Sequence, residues 1–181
     1  MIMTKQQRFL LDALEILGGA RLDQLAALLR PVFYSDKPDL ARSVTENALR
    51  QMYYLNNRME QDGELIFLPQ RRPGHLLLEA VDVMLEIAGN NPLADYRHGK
   101  PPILLRFAVQ EQKVRLFTVT TAGADLYGVE LPPTERIILL FDGQGIAQSL
   151  PVSNKQFFAV RQSDGHHRFF AVHNKHEEGG H

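Results

Sequence analysis

Cysteine is absent from this chain, which excludes disulfides, thiolate zinc sites and a cysteine nucleophile. No apolar run approaches the roughly 18 residues that a membrane-crossing helix needs, and Met1-Ile2-Met3-Thr4-Lys5 lacks the basic-then-apolar order of a signal peptide, so a cytoplasmic location is expected. An excess of one charge is missing too: 20 Lys and Arg stand against 21 Asp and Glu, a net of -1 with neutral histidines. Phosphate neutralisation by Lys and Arg supplies most nonspecific affinity for nucleic acid, so any DNA contact has to come from a local face. There is no internal repeat, and the only compositionally odd stretch is the polar tail over 173–181. What the chain does have is 44% hydrophobic residues among 181, enough for one good core or two small ones.

Helical periodicity dominates the first half. Phe9, Leu10, Ala13, Leu14 and Leu17 recur at helical spacing, with Thr4 as N-cap and Gly18-Gly19 as the stop. Leu22, Leu25, Ala26, Leu28 and Leu29 predict a short second helix that Pro31 ends, because proline disfavours helical geometry in the residue before it. Ser43-Val44-Thr45-Glu46 has the form of a capping box and predicts a third helix from there to Glu60. Its inner stripe is Val44, Ala48, Met52, Leu55 and Met59, and its outer stripe is Glu46, Arg50, Tyr53 and Asn57. A glycine stop at Gly63, a strand over 64–68 and a basic turn over 69–74 complete the pattern.

A fourth helix is predicted over 75–88, carrying Leu76, Leu77, Ala80, Val83, Met84 and Ile87. The Pro, Asn and Gly content over 89–102 marks that stretch as a linker, and the pattern beyond it changes to strands at 103–109, 114–120, 136–141, 157–161 and 167–172. Residues 137–141 are apolar without alternation, as in a central strand covered on both faces. The expected organisation is a helical module over 1–74, a sheet domain over 75–172 and the tail over 173–181.

Three sets of side chains are candidates for function. The outer face of the third helix, with Arg42, Arg50, Tyr53 and Asn57, has residue types that can read base edges in the DNA major groove, and Arg71 and Arg72 in the basic turn, read as the tip that follows the strand, could reach the backbone or the minor groove. A solvated helix face would look the same, and basic and acidic residues are nearly balanced over 1–74. Glu111-Gln112-Lys113 matches the Glu-x-Lys element of Mg²⁺-dependent nucleases, but it falls in a turn where rigid placement is lost. His166, His167, His173 and His176, with Glu177 and Glu178, have zinc-ligand chemistry, although neighbouring strand residues point to opposite faces. No phosphate-binding loop follows from Asp142-Gly143-Gln144-Gly145, and no serine, histidine and aspartate arrangement invites a hydrolase. No catalytic residue, metal or cofactor is therefore assigned.

Leu10 to Leu68, with Leu14, Leu17, Gln24-Leu25, Leu49, Leu55, Gly63 and Ile66 in register, looks like a winged-helix module over about a third of the chain. That layout, followed by a strand-rich part with the run 102–120, resembles the replication-relaxation proteins of plasmids and conjugative elements. The resemblance implies an α+β chain: an N-terminal winged helix-turn-helix, then a small α/β domain with a mixed sheet similar to restriction-endonuclease folds. Where that family would carry Pro-Asp and then an acid in the next strand, this chain has Pro102-Ile103 and Leu116-Phe117-Thr118-Val119-Thr120, which implies a nuclease-like fold without the chemistry. The expected function is a non-enzymatic DNA-binding accessory protein of a mobile element, docking its third helix on double-stranded DNA as a homodimer. A protein-interaction adaptor and a nuclease using Glu111 and Lys113 are the alternatives.

Overall fold

The computed structural model describes residues 2–56 (55 and 56 by backbone alone), 59–141 and 150–172, and within them the chain is α+β. Helix α1 (Lys5–Leu17) starts at a capping box in which Thr4 Oγ1 accepts from the Gln7 amide at 3.1 Å and Gln7 Oε1 accepts from the Thr4 amide at 2.9 Å. Gly18 ends it at φ +77°, a left-handed conformation that glycine adopts without strain. A three-residue strand, β1 (Gly19–Arg21), follows directly; it has too few residues to show a strand pattern.

Helix α2 (Leu22–Phe33) runs through Pro31 rather than ending before it. The missing proline donor falls in the last turn, and the turn is held by the Tyr34 amide donating to the Arg30 carbonyl at 2.8 Å and by Phe33 packing edge-on against Phe9 at 5.7 Å. Helix α3 (Leu40–Asn56) begins three residues earlier than the capping-box reading predicts, and Ser43 Oγ instead donates to the Leu40 carbonyl at 3.1 Å. Glu60 is not helical either. It opens β2 (Glu60–Asp62), which turns at Gly63 into β3 (Leu65–Phe67), and β3 pairs antiparallel with β2 on one side and β1 on the other. The hairpin tip is therefore Gly63-Glu64 and not the basic turn over 69–74. That turn lies over Gly18-Gly19, where a Cβ on Gly19 would come within 2.5 Å of Phe67 Cβ and 2.8 Å of Pro73 Cδ.

Helix α4 (His75–Ala88) ends at Gly89, as the sequence predicts. The stretch expected to be a linker contains β4 (Leu93–His98), which pairs antiparallel with β5 (Leu105–Gln110) as the edge strand of a six-stranded sheet. The order continues through β6 (Val114–Thr121), β7 (Arg136–Phe141), β8 (Gln156–Arg161) and β9 (His167–Ala171), with β7 parallel to both neighbours and the other pairings antiparallel. Strand β7 is buried on both faces as expected. Ile138 and Leu140 join the core made with the helices, and Ile137 and Leu139 join a second cluster with Ile103, Leu126 and Leu150. The first core is continuous from Leu10 in α1 through Met84 in α4 to Ala159 in β8.

Tyr96 of β4 packs against that core opposite Phe107, and burial, with smaller contributions from Asp12 and Asp95, pushes its phenol from 10.0 up to about 12. In the unfolded chain the phenol ionises first, so the contribution of Tyr96 is complete below pH 10 and lost as pH rises towards 12. Chemical melts between these pH values are expected to show falling stability, and Tyr96→Phe should flatten that fall.

Candidate functional site

The outer face of α3 meets the β2–β3 hairpin along an open groove of about 380 Å³. Its floor is apolar: Leu49, Met59 and Ile66 are buried beneath it and Leu22 closes one end. Its rim holds Glu46, Arg50, Tyr53 and Tyr54 from α3 with Glu60 and Gln61 from β2. The two tyrosines stand edge-on to each other at 6.4 Å and are 48% and 81% exposed, so two amphipathic rings are presented to solvent on one helix.

Of the residues singled out from the sequence, Arg50 and Tyr53 line this groove. Arg42 sits on the same helix but is engaged: its Nε donates to Glu46 at 3.2 Å and its Nη2 to Glu64 at 3.1 Å, and these carboxylates, Glu64 foremost, hold its guanidinium above the ordinary arginine value. Arg71 and Arg72 are not brought to a hairpin tip. Arg71 Nη1 donates to the Glu15 carbonyl near the end of α1 at 2.8 Å. Arg72 pairs with Asp62 and lies 5.2 Å over the Phe67 ring. Asn57 lies outside the described residues, as does the side chain of Leu55. The hairpin itself carries Glu60, Asp62 and Glu64, all exposed, so the edge of the groove that a phosphate backbone would approach is acidic.

Comparison with protein-family models, with curated proteins and with solved structures finds no match. Residue chemistry alone therefore distinguishes the remaining candidates. Glu111 lies in the turn between β5 and β6, where it pairs with Arg115 and its Oε1 accepts from Asn91 Nδ2 at 3.5 Å; its partners among the described residues are a guanidinium and an amide, not a second carboxylate. Lys113 is exposed in the same turn. His167 is wholly buried, with Nδ1 3.1 Å from Glu86 and Nε2 3.2 Å from Glu79, whereas His166 is largely exposed and 3.7 Å from Glu86. His173, His176, Glu177 and Glu178 lie outside the described residues. No group of three or more acidic or histidine side chains suited to a metal ion occurs among the described residues.

Two features were not picked out from the sequence. Tyr54 is the most exposed aromatic of the groove, but a helical wheel sets it about 100° from Tyr53, off the stripe that drew attention. Arg106 interrupts the apolar run of β5, and its Nε and Nη2 bind Glu135 bidentately at 2.9 and 2.5 Å while Thr118 Oγ1 also donates to that carboxylate. An arginine at an alternating strand position between buried residues is the available signal for such an acid.

Proposed function

We propose that this chain is a non-enzymatic docking module whose α3 and β2–β3 groove takes a segment of another protein carrying an apolar anchor flanked by basic side chains. One observation carries the reading: an apolar floor of Leu49, Met59 and Ile66 lies between the exposed tyrosines of α3 and Glu60 of β2, which has no ion-pair partner among the described residues, while Glu46, Asp62 and Glu64 nearby are paired with Arg42 and Arg72. Tyrosine and arginine are the residue types that concentrate binding energy at protein interfaces, and the carboxylates favour cationic partners over phosphate.

Double-stranded DNA is the second reading. It is supported by the order helix, strand, helix, helix, hairpin, which is that of a winged helix, and by the exposure of Arg50 and Tyr53 on the third helix. The ion pairs of Arg42 and Arg72 are solvent-exposed and weakly held, so phosphate could displace them, but the released carboxylates would stay at the interface. The likeness to replication-relaxation proteins supports an accessory role in a mobile element under either reading, and the missing acids at Ile103 and over 116–120 support a non-catalytic one.

The test is a peptide-display selection on the intact protein, alongside an anisotropy titration with mixed duplex DNA at low and moderate salt. Basic, aromatic-anchored peptides are expected to be enriched, with affinity falling about tenfold or more in Tyr54→Ala and in Glu60→Arg. Salt-sensitive duplex binding that weakens in Arg50→Ala, with no peptide enriched, would overturn the protein reading in favour of DNA.

A further inference from the structure

On the face of the large sheet turned away from the helices, the edge strand β4 and the segment 128–130 border an open pocket of about 580 Å³, within the range of small-ligand sites. Arg97, His98, Lys100 and Arg106 line it, and Glu130 is the one carboxylate among its lining residues. Gly99 brings its wall close: a Cβ there would stand 2.1 Å from Ile103 Cγ2, so only glycine allows the turn after β4 to fold down on Ile103.

Arg97 and Arg106 are directly opposite each other in the antiparallel β4–β5 register. Like charges in that relation repel unless something between them is negative. Glu135 answers only half of this. It takes Nε and Nη2 of Arg106 from the buried side, and Nη1 of Arg106 makes no hydrogen bond among the described residues. Neither Arg97 nor Lys100 has an ion-pair partner among the described residues.

We infer that this pocket binds the phosphate group of a small phosphorylated ligand between Arg97, Lys100 and Arg106. Two guanidiniums on adjacent strands present planar forks that suit the several oxygens of a phosphate dianion, and Lys100 adds a point charge from the side. The Glu135 contact fixes the Arg106 fork before the ligand arrives, so less side-chain freedom is lost on binding. With Arg106 offset by Glu135, Arg97 and Lys100 are the uncompensated cations, and their two charges match a phosphate dianion better than a monocarboxylate. The site uses no residue of the α3 groove, and the two stand or fall separately.

Calorimetric titration of pyrophosphate into the full chain at low salt is expected to show saturable binding. Arg97→Ala and Lys100→Ala should each weaken it about tenfold, the loss typical of a charged hydrogen bond, while Arg97→Lys should weaken it less. Both side chains are exposed, so thermal melts of the variants should match the parent. Absence of saturable binding, or affinity unchanged from the parent in both alanine variants, would overturn the inference. So would binding of a duplex oligonucleotide that is lost in Arg97→Ala but is not competed by pyrophosphate, since the cations would then be tracking a nucleic-acid backbone.

Discussion

Arg106→Ala is expected to destabilise the protein by roughly 3 to 5 kcal/mol, because it leaves the carboxylate of Glu135 buried without its guanidinium. Glu135 is 2% exposed, and among the described residues its carboxylate accepts, besides the two bonds from Arg106, one from Thr118 Oγ1, which cannot offset a full charge. For a chain of this size each kcal/mol lowers the melting temperature by about 2–4 °C, so a drop on the order of 10 °C should be visible in a thermal scan. The origin of the loss is checked by the double variant Arg106→Leu with Glu135→Leu. Replacing a buried ion pair by apolar side chains of similar volume is often neutral, so the double variant should recover most of what the single one loses. A single variant that melts like the parent would mean that the pair is not shielded from water.

His167→Ala is the second large effect, at roughly 2 to 4 kcal/mol. The imidazole is 0% exposed and sits between Glu79 and Glu86, while the His167 amide also donates to Glu86 Oε2 at 3.0 Å. This contact ties the edge strand β9 to α4. Removing the ring opens a cavity, takes the imidazole partner from Glu79 and leaves Glu86 with the backbone amide of residue 167. Adding Glu79→Gln to the alanine variant should return part of the loss, because an amide is cheaper to desolvate than a carboxylate. Hydrogen exchange localises the effect: amides of β9 should exchange faster while those of β7 stay protected until global unfolding. Uniform acceleration across the sheet would show that His167 is not a local clasp.

Features that repeat along the chain were legible in the sequence. The Thr4 cap, the Gly18 stop, the bounds of α4 and the doubly buried β7 each rest on a local pattern that the tertiary structure leaves unchanged. Errors arose where tertiary contacts decide. β1 has three residues and exists because β3 pairs with it, and β4 is an exposed edge strand whose Asn, Pro and Gly neighbours look like a linker. Reading α3 through to Glu60 turned Gly63 from a hairpin turn into a helix stop and so moved the apparent tip by several residues, to Arg71 and Arg72. The candidate face was legible in part: Arg50 and Tyr53 line the groove, whereas the pairing of Arg42 with Glu64 joins residues distant in sequence and leaves no local trace.

The central core that runs from α1 to β8 also sets a timetable for synthesis. Helix α4 leaves the ribosome with α2 and β1 already made but the rest of its apolar side bare, because the strands that cover it come later in the chain. At about 5–20 residues per second, the stretch from Ala88 to Arg161 takes roughly 4 to 15 s to follow. For that interval the half-made chain displays Val83, Met84 and Ala88 to solvent or to a chaperone, which makes the nascent polypeptide, rather than the finished protein, the form most prone to aggregate.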